Sequence, residues 1–221
     1  MRRRIFRRGW EYAKFRWWQR LEGAPIPDRP HFDPGSMEYF LESLSRAKLY
    51  LEYGCGGSTV EAARQHKKFI SVESDSFYLK SVVKKIENEF GKVDGRFIHA
   101  NIGLTEEWGW PLIKYPTWRR LQRWSNYAEA PWAFISASST PDLILIDGRF
   151  RVHCALYSIY KMQGHDFEIL IDDYADRNYY RDVEKFARLE KMLGRMAVFK
   201  PKVFDNEDIK RSIKQFARDC K

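Results

Sequence analysis

Five acidic residues stand where their spacing could do chemistry. Glu52 precedes a glycine-rich run, Gly54-Cys55-Gly56-Gly57-Ser58-Thr59, and Glu73 comes nineteen residues after Gly54. Asp147 is followed by Gly148, and the pair Asp172-Asp173 begins twenty-five residues after Asp147. Glycines let a backbone turn tightly and approach a ligand closely, and a helix starting near Ser58 offers unpaired N–H groups. An acid ending the next strand is placed to accept both ribose hydroxyls of a nucleoside. The run is no dinucleotide fingerprint, which would want glycine where Thr59 stands, and no Gly-Lys-Ser/Thr follows to make a phosphate loop. Three converging aspartates repel unless something compensates, and a hard divalent cation with oxygen ligands does so.

These residues need strand ends to hold them. After a proline-rich linker (Pro25, Pro27, Pro30, Pro34), the pattern predicts a helix over 37–45, a strand over 48–53 ending at Gly54, and a helix from Ser58 to His66. A strand over 69–73, a long helix from Asp75 to about Phe90 and a strand over 96–100 follow. The run Asp142–Asp147 (DLILID) reads as a fully buried strand, with a helix from about Val152 to Met162 and a fifth strand over 168–172. The remainder reads as a helix over 180–192, a strand near 196–200 and a terminal helix from about Asn206. Strands alternating with helices imply an α/β fold with a doubly wound, mostly parallel sheet. The expected organisation is an arm and linker over 1–35 and one domain over 36–221. Ligands of such sheets bind beyond the carboxyl ends of the strands, near the point where strand order reverses.

An acid two residues before Gly-x-Gly, followed by an acid ending the second strand, resembles the class I S-adenosylmethionine-dependent methyltransferases over roughly residues 48–175. The resemblance implies a Rossmann-like fold in which Glu52, Gly54 and Gly56 face the methionine part of the cofactor and Glu73 holds the ribose. It places the residues after the third strand (His99, Ala100, Asn101, Ile102) beside the adenine, with Asn101 where many members have Asp. One aspartate after the fourth strand and an acidic pair after the fifth are similar to the metal-dependent sugar O-methyltransferases of macrolide biosynthesis. That likeness implies Asp147, Asp172 and Asp173 as ligands of Mg2+ or another divalent cation. In the other reading Asp172 or Asp173 caps the next segment, Asp147 contacts the cofactor's amine or acts as base, and no metal binds. The chain also resembles small bacterial methyltransferase-like proteins of unassigned function.

Methyl transfer to oxygen is an in-line displacement that needs an aligned acceptor and a base. Asp147 is one base candidate, and as the alternative contact to the cofactor's amine it also counts among the cofactor-binding residues. His153, in the helix that follows, is the other, set against the plain reading of a packed histidine. His165 and His66 belong to the far end of the sheet, and His31 stays only as a linker residue able to fold over the cofactor. Arg149, Arg151 and Arg177 surround the expected site and suit an anionic acceptor such as a uronate or phosphate, or pair with the local aspartates. Tyr174, Tyr179 and Tyr180 line the acceptor cleft or pack. An insertion over 101–140 separates the third and fourth strands and holds Trp108, Trp110, Trp118, Trp124 and Trp132. A loop there overhangs the site, and a tryptophan face suits a sugar ring; a small satellite core under the loop is the alternative.

The net charge of +9 belongs to one end. Residues 1–20 carry eight basic residues and one acid, leaving +2 for the other 201. Phe6, Trp10, Ala13 and Trp17 fall on one helical face among arginines, a pattern suited to an anionic membrane surface. Packing on the domain itself is the alternative, and nucleic acid is disfavoured because the body adds no basic stripe. Three scattered cysteines (Cys55, Cys154, Cys220) are too few for a disulfide framework or a structural zinc, and with no secretory signal they point to a reducing compartment. With 44% hydrophobic and 31% charged residues and no run of 18 apolar ones, the composition is globular rather than disordered or membrane-spanning. The expectation is a cytoplasmic O-methyltransferase, peripheral at the inner membrane face, acting on a sugar of a glycan or glycolipid. A methyltransferase of a small phenol, lipid or protein amine, a non-catalytic binding module, and a homo-oligomer remain open.

Overall fold

The computed structural model describes residues 21–220 together with Lys14 and Trp17; the rest of the basic arm lies outside the described residues. In chain order the elements are α1 (Pro34–Arg46), β1 (Tyr50–Tyr53), α2 (Gly57–Arg64), β2 (Phe69–Glu73), α3 (Ser76–Phe90) and β3 (Gly95–His99). Then come α4 (Trp118–Glu129), β4 (Leu143–Ile146), α5 (Arg151–Lys161), β5 (Glu168–Ile171), β6 (Ala187–Leu193), β7 (Met196–Pro201) and α6 (Asn206–Phe216). The seven strands form one sheet in the order β3-β2-β1-β4-β5-β7-β6. The first five are parallel, and β7 runs antiparallel to both β5 and β6. Order reverses between β1 and β4, whose register pairs Tyr53 with Ile146.

Alternation along each strand sorts the side chains into two cores. Leu51, Tyr53, Ile144, Ile146, Ile169 and Ile171 face Trp124, Ala155, Leu156 and Ile159 of α4 and α5. Tyr50, Phe69, Leu145 and Leu170 face Phe40 and Leu44 of α1, Val60 and Ala63 of α2, and Val82 and Ile86 of α3. Glu52 and Glu73 share the second face by parity, and so do Asp147 and Asp172, whose backbone N–H groups continue the ladder to Tyr53 O and Ile146 O at 2.9 and 3.2 Å. All four acids therefore sit at the carboxyl ends of adjacent strands, on the side of the sheet covered by α1, α2 and α3.

One element differs from expectation. The helix predicted over 180–192 is a 3₁₀ stretch over Asn178–Lys185 followed by strand β6. The sequence ARLEKML is rich in helix formers, but tertiary pairing overrides propensity. Leu193 pairs with Met196 across Gly194-Arg195, and Gly194 has φ +56°, so a two-residue turn with glycine first folds the segment back as a hairpin. As an edge strand it carries Arg188, Glu190 and Lys191 outward, which blunts further pairing.

The linker is packed rather than loose. Ala24 N–H donates to Ser81 Oγ at 3.0 Å, Asp28 pairs with Lys85 at 2.7 Å, and the Arg195 N–H donates to Asp33 Oδ2 at 3.0 Å. Between these points its backbone lies on the start of α2: a Cβ on Gly57 would come within 2.2 Å of the Arg29 carbonyl carbon. The linker thus straps the rim from α3 to the β6–β7 turn.

Candidate active site

Glycines set the close approach of β1 to β4. Gly54 has φ +97°, and a Cβ there would fall 2.7 Å from the Gly148 Cα and N. A Cβ on Gly148 would fall 2.2 Å from the Tyr127 hydroxyl. The turn is held from below by Glu52, which is fully buried and accepts hydrogen bonds from Tyr50 (2.9 Å), Ser58 (2.7 Å) and the Thr59 hydroxyl. Thr59 in turn accepts from Gly56 N–H at 2.9 Å. Burial pushes the Glu52 carboxyl above its usual range, against the pull of these hydroxyls. Glu52 therefore positions the glycine turn and the start of α2, where the resemblance implied that it faces the cofactor itself.

Glu73 is differently placed. Its Oε1 accepts from the N–H groups of Ser74 (2.6 Å) and Asp75 (2.8 Å) and from Ser74 Oγ (3.0 Å). Its Oε2 meets only the weakly donating Cys55 thiol, at 3.7 Å, among the described residues. One oxygen is anchored and the other has only the thiol as a partner among the described residues. The insertion closes over this spot. Thr105 Oγ1 donates to Asp75 Oδ2 at 3.0 Å, Ser74 Oγ donates to Gly109 O at 3.3 Å, and a Cβ on Gly109 would sit 2.6 Å from Ser74 Oγ. Asn101 is exposed, accepts from Gly103 N–H at 2.9 Å, and lines a cleft of about 590 Å3 with Trp118, Arg119, Gln122, Arg123 and Asn126. That cleft does not include Glu73.

The three aspartates do come together, but around arginines. Arg151, 3% exposed, donates to Gly148 O (3.0 Å), Asp147 O (3.1 Å), Asp147 Oδ1 (3.0 Å) and Asp172 O, and pairs with Asp173 at 3.2 Å. Arg195, from the β6–β7 turn, pairs with Asp172 and Asp173 at 3.1 Å each and donates to His31 O in the linker. Arg177 pairs with Asp173 at 2.9 Å. Asp173 itself adopts φ +53°. The carboxylates are thus compensated by guanidinium forks, and no group of three metal-ligating side chains exists among the described residues. This donor set does not fit the divalent cation that the sugar-enzyme likeness implied for Asp147, Asp172 and Asp173.

Asp147 keeps about a third of its side chain exposed. Burial, with Asp172 and Asp173 nearby, outweighs the attraction of Arg151 and pushes its pKa to about 7. A carboxylate poised near neutrality is matched to proton transfer. His153 is not. It is 1% exposed, neither ring nitrogen has a hydrogen-bond partner among the described residues, its ring packs 6.3 Å from that of Tyr157, and burial lowers its pKa to about 4. It presents no nitrogen to an acceptor, so the base expectation for His153 gives way to that for Asp147.

Two acceptor candidates are structural. Tyr174 donates to Glu184 at 2.7 Å and packs on Phe199 at 5.3 Å, and Arg177 spends itself on Asp173 and the Tyr180 hydroxyl, the latter at 2.9 Å. Arg149 is the exception. It is 8% exposed, its guanidinium carbon lies 4.3 Å from the Trp110 ring centre, and it has no carboxylate partner among the described residues. Of the insertion's tryptophans, Trp124 and Trp132 belong to the core, with Trp132 donating to the Tyr53 hydroxyl at 2.9 Å, while Trp108 and Trp118 are exposed. Sequence reasoning missed Arg195, which reaches the site from a turn more than twenty residues past Asp172, and Tyr127, which roofs Gly148.

No protein-family model matches the chain, and no curated protein matches it. Among solved structures it is similar to a methyltransferase-like protein from Silicibacter pomeroyi, at 28% identity and a TM-score of 0.75, over 87% of this chain and 100% of that one. A putative methyltransferase from Escherichia coli gives a TM-score of 0.47 at 12% identity (82% and 92% covered), and a putative caffeoyl-CoA O-methyltransferase from Staphylococcus aureus 0.44 at 12% (86% and 92%). Those two are too distant to bear on function. With its strand order and antiparallel seventh strand, the chain has a class I S-adenosylmethionine methyltransferase-like fold.

Proposed function

We propose that this protein is an S-adenosylmethionine-dependent methyltransferase that alkylates a hydroxyl of a sugar or glycan. One observation carries the reading: an acid whose Oε2 has only a thiol partner among the described residues, Glu73, and a near-neutral carboxylate, Asp147, lie on one face at the strand switch beside a glycine turn. The donor set suits the cofactor. Glu73 Oε2 would accept the ribose hydroxyls, and the Gly54–Gly56 turn would hold the cofactor through its backbone, its glycine Cα positions lying against Gly148 and Tyr78. When bound, the cofactor supplies a methyl group on a positively charged sulfur. Asp147 accepts the hydroxyl proton of the acceptor as the oxygen becomes nucleophilic, and Arg151 keeps that carboxylate oriented through Oδ1. The linker and insertion exclude water from the rim. Sugar is favoured as acceptor by the aromatic insertion, whose exposed Trp108 and half-buried Trp110 stand beside the rim.

The arm's basic and aromatic residues suggest an anionic membrane surface as partner. That proposal rests on sequence, since residues 1–20 lie outside the described residues except Lys14 and Trp17. No described helix is long and apolar enough to cross a membrane. A non-catalytic reading draws on one observation, the linker backbone seated on Gly57.

A methyl-label assay separates these. The protein is given labelled S-adenosylmethionine with glucose, glucuronate, glucose 6-phosphate, a catechol or a lysine peptide, with and without chelator. Label in a sugar methyl ether, undiminished by chelator, is expected. Label in the catechol or peptide alone would move the acceptor to a phenol or amine, loss of sugar methylation in chelator would restore the cation, and no label in any arm would favour the non-catalytic module.

A further inference from the structure

Four arginines crowd the carboxyl ends of β4 and β5 and the turn beside them, and three are spent on aspartates. Arg151, Arg177 and Arg195 each pair with a carboxylate within 3.2 Å. Among the described residues Arg149 has none, although it stands two residues after Asp147. It is more than nine-tenths buried, and its Nε is a donor without a hydrogen-bond partner among the described residues. A largely buried guanidinium whose Nε is unpaired is costly and calls for an explanation. Among the described residues its surroundings offer none. Its guanidinium lies against Trp110 at 4.3 Å, and Lys114 Nζ lies 4.8 Å from the same ring, so the indole carries two cations. The Arg149 stem passes the Gly109 backbone, where a Cβ would be 3.9 Å from Arg149 Cγ and 3.4 Å from Glu73 Oε1. The cation is therefore held on the wall shared by the ribose-type acid, the insertion and the proposed base. Burial and the neighbouring Arg151 charge weaken its hold on its proton, outweighing the opposite pull of Tyr127, Tyr180 and Asp147.

We infer that Arg149, supported by Trp110 and Lys114, binds an oxyanion carried by the acceptor, so that the sugar methylated here bears a carboxylate or a phosphate. This rests on the methyltransferase reading and narrows it. A guanidinium held against an aromatic ring keeps its N–H edge for a planar or tetrahedral oxyanion, which it recognises through two parallel hydrogen bonds. A neutral sugar would leave the donor unpaired, and sites built around a buried polar group discriminate strongly against ligands lacking its partner. The methionine carboxylate of the cofactor is the other oxyanion this arginine would suit, and the test separates the two.

Calorimetry on the full chain, saturated with S-adenosylhomocysteine, is run with glucuronate, glucose 6-phosphate and glucose. At least one anionic sugar is expected to bind about tenfold or more tightly than glucose, consistent with a charge-assisted hydrogen bond. Arg149→Gln is expected to erase that preference, and Arg149→Lys to restore it only in part, while S-adenosylhomocysteine binding stays within about twofold of wild type. Equal binding of glucose and both anions, or no binding of any, overturns the inference. So does a loss of S-adenosylhomocysteine affinity in Arg149→Gln with 5′-methylthioadenosine affinity unchanged, which would assign the arginine to the cofactor's carboxylate. Failure of wild type to bind S-adenosylhomocysteine would instead remove the methyltransferase reading beneath it.

Discussion

Asp147→Asn is expected to lower turnover by about 10²–10⁴-fold, the range spanned by a positioned general base, with little change in S-adenosylhomocysteine affinity. Asparagine keeps the shape and an oxygen for Arg151 but cannot take a proton. The pH profile carries the sharper signature. Asp147 has its pKa raised to about 7, so the basic form is scarce below neutrality and grows as pH rises through that value. In wild type, kcat/KM should climb through an acid limb with its midpoint near pH 7, and in Asp147→Asn that limb should disappear. A limb that persists in the variant would assign the proton to another group. His153, with a pKa lowered to about 4 and no exposed nitrogen, would not reproduce a midpoint there.

Arg151→Ala has the largest expected effect on stability. Its guanidinium joins the end of β4, through Gly148 O and Asp147, to the end of β5, through Asp172 O and Asp173. Truncating one partner of a buried ionic network leaves the others uncompensated and costs about 3–5 kcal/mol. In a domain of this size that corresponds to a drop in melting temperature of roughly 10 °C or more. Arg151→Lys should fall between, because an ammonium cannot fork to both strand ends. Its catalytic signature is a shift rather than a loss. Arg151 lowers the Asp147 pKa, so weakening their pairing should move the acid limb of kcat/KM to higher pH. A melting temperature within 2 °C of wild type for Arg151→Ala would show that the network is solvated and loosely held.

Local rules made much of this fold legible. The runs 48–53, 69–73 and 142–147 read as strands of a mostly parallel sheet, and Asp75 announced α3 by capping the Phe77 and Tyr78 N–H groups at 2.8 and 3.1 Å. Glycine and acid at the β1 and β2 ends pointed to the rim because position after a strand fixes side-chain location. What the sequence hid was pairing across the chain. Arg195 meets Asp172 and Asp173 only because a hairpin brings it back, and that hairpin was itself concealed by helix-forming residues in β6. Reading the aspartates as metal ligands followed from counting like charges without knowing which cations folding would deliver. Glu52 was less legible: Ser58 and Thr59, six and seven residues on across the glycine turn, are the hydroxyls that consume it. His153 shows the opposite limit, since one residue's place on a helix face decides between site and core, and α5 turns that face inward.

Titrating S-adenosylhomocysteine into wild type and Glu73→Ala by calorimetry tests most directly whether the β1, β2 and β4 tips form a nucleoside cradle. The account predicts one site per chain in wild type and an affinity loss of about 100-fold in Glu73→Ala, the scale of losing charge-assisted hydrogen bonds to two hydroxyls. An unaltered melting temperature in the variant would show that the loss is local. Equal affinities for the two proteins would contradict it, as would a wild type that takes up no nucleoside.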